Sequence, residues 1–262
     1  MTQSNWDDLR TRTLSGVAMA AVGLTGLAVG GVWFQMLVVF ATAVMMWELW
    51  MMIAPDRATI GMLLAAFVAS LLSGIFTVEK TAIAVLFLVP SLLGMILLKT
   101  ERITFAIYAL LILLCGWGLV EFRNTHGFIW VMWLIAVVVV TDIAGYFAGR
   151  TFGGPKFWPS LSPKKTWSGT IAGWAAAAAI GGGFALLTSG GVVLIVMSAV
   201  VSFASQMGDM GESALKRRMG VKDSSALIPG HGGLFDRFDG VLGATLAMLI
   251  LTTCMDVPQV AW

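Results

Sequence analysis

Residues 32–53 read VWFQMLVVFATAVMMWELWMMI, a run in which Glu48 is the single formal charge. A helix needs roughly 20 mainly apolar residues to cross the hydrocarbon of a bilayer, and this run supplies them without interruption. Eight further segments come close to the same standard: 14–30, 58–76, 81–98, 104–122, 128–149, 168–187, 192–211 and 238–257. Only Gly30-Gly31 separates the first from the quoted run. Across all 262 residues, 58% are hydrophobic and 11% charged, and the mean hydropathy is +0.90. Soluble domains carry roughly 25% charged residues, so the solvent for this chain is the bilayer. The expected fold class is an all-α integral membrane protein of about nine transmembrane helices. It forms a single polytopic membrane domain over 1–262, with N-terminal helices at 14–122 and a C-terminal part at 128–257, and no soluble domain.

The charges give an orientation. With nine crossings and a cytoplasmic N-terminus, fourteen of the sixteen basic residues fall on one side, leaving only Lys80 and Arg123 on the other. That asymmetry obeys the positive-inside rule and predicts an N-in, C-out protein of the cell's inner (cytoplasmic) membrane. Asp7 and Asp8 beside Arg10 and Arg12 make a poor signal-peptide start, so the first apolar run is expected to be retained. Trp33, Trp47, Trp50 and Trp130 lie near expected helix ends and read as interfacial anchors. Cys115 and Cys254, inside apolar runs, read as buried small hydrophobes. Gly26/Gly30 and Gly169/Gly173 have the four-residue spacing that lets helices approach closely, and such faces permit a homodimer. Glu48 and Glu121, near helix ends, read as structural.

Two connections have substance, and both are expected in the cytoplasm: Arg150 to Trp167, with Pro155, Pro159 and Pro163, and Gly211 to Asp239. Beside them stand acidic residues that are costly within a membrane and so demand a reason. Asp142, Tyr146 and Arg150 are spaced to share one helix face, as are Asp209, Glu212, Ser213 and Lys216. For Asp142 a buried ion pair or cap is the alternative. Lys164 and Lys165, in a Ser162-Pro-Lys-Lys-Thr166 run, suit triphosphate or lipid-headgroup capture, with ordinary positive-inside residues as the alternative.

The stretch after Asp209 combines three kinds of group. Asp209, Asp223, Asp236 and Asp239 can hold hard cations such as Mg²⁺ or Mn²⁺. Lys216, Arg217, Lys222 and Arg237 can hold phosphate oxygens. The turn Pro229-Gly230-His231-Gly232-Gly233 lets backbone approach a ligand and aims N–H groups at an anion. His231 reads as a turn cap or a phosphate contact, with a contact to the cytosine as the alternative. Asp236 and Asp239, three apart at a helix start, are expected to face one ion.

The run from Ser213 through Lys216-Arg217, Lys222-Asp223 and the Pro-Gly-His-Gly-Gly turn to Asp236-Arg237-Phe-Asp239 resembles the signature of the phosphatidate cytidylyltransferase family. Asp142-Ile-Ala-Gly-Tyr146 with Gly149-Arg150, and Ser162 to Trp167 with Gly169, agree with it. The likeness covers roughly 140–240. Ser168 departs from it, where many members carry glutamate or glutamine.

The resemblance implies transfer of CMP from CTP to phosphatidic acid, giving CDP-diacylglycerol and pyrophosphate. The implied catalytic residues are Asp209, Lys216, Arg217, Lys222, Asp223, Asp236, Arg237 and Asp239. Substrate binding would involve Asp142, Tyr146, Arg150, Ser162, Lys164, Lys165, Thr166, Ser213, Gly230, His231, Gly232 and Gly233. Mg²⁺ or Mn²⁺ is the implied metal, with a second cation such as K⁺ at the leaving pyrophosphate. The implied partners are CTP, phosphatidic acid and membrane lipids, with no nucleic acid. A cytidylyltransferase for an ether- or prenyl-linked lipid phosphate would share the signature. A CDP-alcohol phosphotransferase would not, because Asp239-Gly240 is not followed by Ala-Arg. A transporter would put its charges near the midplane, often in broken helices.

Overall fold

The computed structural model describes residues 3–77 and 83–254. Among them are nine α-helices and one β-hairpin: α1 (Gln3–Val29), α2 (Gly31–Ile53), α3 (Ala58–Ile75), α4 (Ile83–Leu97), α5 (Arg102–His126), α6 (Phe128–Phe152), β1 (Lys156–Trp158), β2 (Ser162–Thr166), α7 (Trp167–Leu187), α8 (Val193–Arg218) and α9 (Phe235–Cys254). Eight of these helices are long and apolar enough to cross a membrane. Helices dominate because hydrocarbon cannot satisfy backbone N–H and C=O groups, which must therefore pair within each segment. Large apolar side chains face outward throughout, among them Leu186, Ile96 and Val192, which are 89%, 75% and 74% exposed. The helical membrane reading stands, with the one short hairpin as its exception, and the described residues include no soluble domain.

Several boundaries and environments differ from the sequence reading. α1 starts at Gln3 rather than near residue 14, and α8 runs on to Arg218, drawing Glu212 to Arg217 out of the expected loop. The proline-rich connection after α6 folds back as an antiparallel hairpin, with Lys156 opposite Thr166 and Trp158 opposite Ser162. Trp50 and Trp130 are core residues, 0% and 3% exposed, whereas Trp33 is 69% exposed. A large apolar ring fills a core as readily as it anchors at an interface, and a buried Trp needs only one partner for its N–H; Trp130 Nε1 has none among the described residues. Trp50 finds one in the Arg57 carbonyl at 3.1 Å. Cys115 is buried, but Cys254 is exposed at the end of α9. Lys80 and both chain ends lie outside the described residues.

The chain divides into two compact units, Met1–Val120 with Arg218–Phe238, and Glu121–Arg217 with Asp239–Trp262. In the first, α2 packs on α3 and α1. Trp50 meets Phe105 edge-on at 5.7 Å, and Gly61 and Gly94 leave room for those two rings. In the second, α6 packs along α7. A Cβ on Gly169 would stand 2.5 Å from the Gly145 carbonyl oxygen, and one on Gly173 would stand 2.7 Å from the Gln206 amide. Gly169 and Gly173 are thus a helix-packing face, as their spacing suggests.

α4 (Ile83–Leu97) lies within the expected 81–98 segment, and its apolar part within the described residues, Val85–Leu97, is shorter than the other spans. Its end is informative. The Leu97 carbonyl accepts from Arg57 Nη1 at 2.5 Å and the Leu98 carbonyl from Arg102 Nε at 2.7 Å. Cationic side chains at a helix C-terminus satisfy its orphan carbonyls. Because Arg57 immediately precedes α3, chain that leaves along α3 returns along α4 to the face it left. A chain in which α4 failed to cross would gather at most twelve of the sixteen basic residues on one side, rather than fourteen. Reporter fusions at Met1 and Trp262 are therefore expected to lie on opposite sides, with Met1 cytoplasmic. Both ends on one side would mean an even number of crossings.

Candidate functional site

In the second unit the hairpin strap and three helices shape a cleft of about 460 Å³ lined by Asp142, Tyr146, Arg150, Lys164, Lys165, Thr166, Gln206 and Asp209, among others. Each side chain has a local cause for its place. Asp142, Tyr146 and Arg150 follow one another at helical spacing on α6, and Arg150 Nη1 donates to the Tyr146 hydroxyl at 2.9 Å. Lys164 and Lys165 sit on β2, whose return is fixed by Trp167 N–H donating to the Pro155 carbonyl at 3.0 Å and by Phe157 against Trp167 at 4.7 Å. Thr166 then caps α7, accepting from Gly169 N–H at 3.3 Å. Ser168 donates to the Gly153 carbonyl at 2.5 Å, so its hydroxyl ties the end of α6 to the start of α7.

Lys165 is held twice. Its Nζ lies 2.5 Å from Asp209 Oδ2 and donates to the Gln206 carbonyl at 3.2 Å. Asp239 joins this group through α9. Where α9 crosses α8, Gly208 lies against the Asp239 carbonyl and Gly243 against that of Ala204, so neither position has space for a side chain. Asp142, Asp209 and Asp239 consequently lie within Coulombic reach of one another, with Lys165 and Lys216 as the neighbouring cations. Lys216 Nζ also pairs with buried Glu212 at 2.6 Å. Ser213 and Arg217 lie on the same stretch of α8, and Ser162 is buried at the start of β2.

Among the described residues, no three His, Cys, Asp or Glu side chains converge as a ready-made metal cage. The three carboxylates border a space rather than enclose it. Mg²⁺ tolerates such a site, since it prefers oxygen ligands and keeps waters and substrate phosphates rather than demanding an all-protein cage. Oxygen donors beside lysines and an arginine suit a polyphosphate carrying its own cation.

The first unit holds the glycine-rich turn. The His231 N–H donates to the Ile228 carbonyl at 2.9 Å across Pro229 and Gly230, whose φ is 74°. Proline at the second position and a positive-φ glycine at the third define a type II turn. Gly232 also has positive φ, 82°. Asp236 Oδ2 accepts from Ser224 N–H and Oγ–H, both at 2.8 Å, and from Gly233 N–H at 2.7 Å. Arg237 grips the His231 carbonyl through Nε and Nη2 at 2.9 and 2.7 Å. His231 Nδ1 lies 2.8 Å from Ser15 Oγ on α1. Lys222 and Asp223 are exposed beside the turn.

A family model described as the cytidylyltransferase family matches residues 10–255. The chain belongs to the cytidylyltransferase family. This cytidylyltransferase is 34% identical to the phosphatidate cytidylyltransferase of Brucella suis biovar 1 (strain 1330), over 97% of this chain and 96% of that protein. It is 34% identical to the phosphatidate cytidylyltransferase of Bacillus subtilis (strain 168), over 90% and 94%. That of Mycobacterium tuberculosis (strain ATCC 25618 / H37Rv) is 32% identical over 55% of this chain. The resemblance carried by 140–240 thus extends over nearly the whole cytidylyltransferase chain.

Sequence reasoning missed Gln206, which lines the cleft and accepts from Trp174 Nε1 at 3.0 Å, and Ser15, which reaches the turn. A lone glutamine in an apolar helix was the available signal for the first; nothing local marks the second. The α6–α7 approach carries a test. Gly169→Ala is expected to destabilise the cytidylyltransferase by about 1–3 kcal/mol, the usual cost of overpacking. Gly183→Ala on the same helix, with open space around it, should be neutral. Thermal unfolding of the two variants in detergent measures the difference, and equal midpoints would remove the packing argument.

Proposed function

We propose that this cytidylyltransferase transfers CMP from CTP to phosphatidic acid at the cytoplasmic face of the cell membrane. A phosphate oxygen of the lipid bonds to the α-phosphorus of CTP. The bond from that phosphorus to the bridging oxygen breaks, and pyrophosphate leaves. One observation supports this above others: a polar cleft of opposed carboxylates and cations lies within a unit whose outer faces are apolar. A soluble triphosphate and a lipid phosphate both find their chemistry there.

The lipid nucleophile is already an anion near neutral pH, so catalysis is positioning and charge neutralisation rather than proton removal. Lys164, Lys165 and Arg150 would take the triphosphate oxygens, and Tyr146 would hold the guanidinium of Arg150 at its angle. By the signature, Lys216, Arg217, Lys222 and Arg237 contribute further to phosphate binding. Asp209 and Asp239, with Asp142 beside them, would hold Mg²⁺, and Asp223 and Asp236 complete the carboxylate set the signature implies. The metal, when bound, supplies charge to the α-phosphate and the leaving pyrophosphate. Asp236 carries a second assignment, because its Oδ2 already receives three hydrogen bonds from the turn.

Purified protein incubated with labelled CTP, phosphatidic acid and Mg²⁺ should yield CDP-diacylglycerol, and excess EDTA should stop turnover. No product with the lipid, or full activity in EDTA, would overturn the substrate or the metal assignment respectively. Asp209→Asn and Asp239→Asn are expected to lower turnover by about 10²–10³-fold, the scale of losing a preorganised electrostatic contact. Asp239→Asn should be as stable as wild type in metal-free buffer, or more so, since neighbouring carboxylates repel, whereas Asp209→Asn also takes away the ion-pair partner of Lys165. Asp236→Ala should instead also lose about 1–3 kcal/mol, because buried donors are left unpaired. An Asp236→Ala protein as stable as wild type would return Asp236 to a purely ligand role.

A further inference from the structure

Glu48 lies on α2 and is 0% exposed. A carboxylate so enclosed in an apolar helix is costly unless its oxygens are satisfied. Here both are. Oε1 accepts from Ser225 Oγ–H at 2.6 Å and from Leu234 N–H at 2.9 Å, and Oε2 accepts from Phe235 N–H at 2.6 Å. The last two are N–H groups at the start of α9, which no intrahelical carbonyl can reach. The negative charge also faces the positive end of the helix dipole. A Cβ on Gly233 would run into the Glu48 carboxylate and Ser224 Oγ, so the glycine is what lets the carboxylate come this close.

Asp236 holds the other side of the same loop through Ser224 and Gly233. Between them the two carboxylates take the backbone N–H groups of Ser224, Gly233, Leu234 and Phe235. Within the loop the support comes from the Ile228–Gly232 bridge, the turn at His231 and the Leu227 N–H on Ser225 Oγ; Arg237 and Ser15 hold the tip of the turn at His231 and Pro229. What emerges from this clamp is the first turn of α9, with Asp236, Arg237 and Asp239.

We infer that Glu48 is a positioning residue for cytidylyl transfer: it fixes the 224–235 loop and the start of α9, and through them the signature residues that act on the phosphates. This rests on the function proposed above. Glu48→Gln keeps the shape of the side chain but turns one acceptor into a donor aimed at donors. The loop would loosen and the first turn of α9 would lose its angle. A misplacement of about 1 Å can cost about 100-fold in rate.

The test uses full-length Glu48→Gln and Ser225→Ala, with Thr42→Val as control. Thr42 is buried on α2, where its hydroxyl bonds the Val38 carbonyl of its own helix. Hydrogen exchange over 224–235, thermal midpoint, and kcat and KM per folded molecule are read for each. Glu48→Gln is expected to exchange faster within 224–235 and to lose about 10- to 100-fold in kcat, with smaller changes in KM. Ser225→Ala, losing one contact of three, should lie between it and wild type; it carries the test if Glu48→Gln does not fold. Thr42→Val should keep wild-type kcat whatever its midpoint. Unchanged kcat per folded molecule in both loop variants would overturn the positioning role. Unchanged exchange in Glu48→Gln would overturn the clamp. An inactive wild type would sink the functional reading alone, because the exchange measurement needs no substrate.

Discussion

Hydrocarbon offers no hydrogen bond to a backbone amide and little comfort to a charge. In this chain that constraint governs where the charged groups sit. The apolar runs are helical because only helices satisfy their own backbone. Chemistry collects at helix ends and in the two longer connections. Three carboxylates drawn further in come with partners: Glu48 with two amides and a hydroxyl, Asp209 with Lys165, Glu212 with Lys216. Glycines do the complementary work. Where α6 meets α7 and α8 meets α9, they bring main chain against main chain, and so bring the carboxylates of different helices together.

The division of labour between the two units follows from this. One presents a polar cleft built on α6, β2, α7 and α8. The other presents a glycine-rich turn held by carboxylates on α2 and α9. Each arrangement uses the same chemical vocabulary, an anion receiving donors that a helix end or turn has left without partners. The signature joins them in sequence, since its residues lie on both sides of the boundary near Arg218 and Phe238.

Much of this was legible in the chain itself. Nine apolar runs predict nine helices, because hydrophobic length is a local property. Asp142, Tyr146 and Arg150 share a face because helical periodicity requires it, and Arg150 does bond Tyr146. The Lys164-Lys165 pair faces the cleft. What escaped was non-local or chemically ambiguous. The last turns of α8 are charged and look like loop. Three prolines concealed a hairpin. Trp50 could anchor at an interface or fill a core with equal chemical ease. Glu48 reads from the sequence as structural, but its partner Ser225 is 177 residues away, and no spacing rule reaches that far.

The crossing of α8 and α9 has one more consequence. Gly208 and Gly243 let each helix rest on the other's backbone carbonyl. Such a contact contains no rotatable side chain, so it cannot adjust by a change of rotamer. The distance between the main chain at Asp209 and at Asp239 is therefore set by that backbone contact. A membrane enzyme whose surroundings vary in thickness and fluidity keeps, at that crossing, a ruler that its solvent cannot stretch.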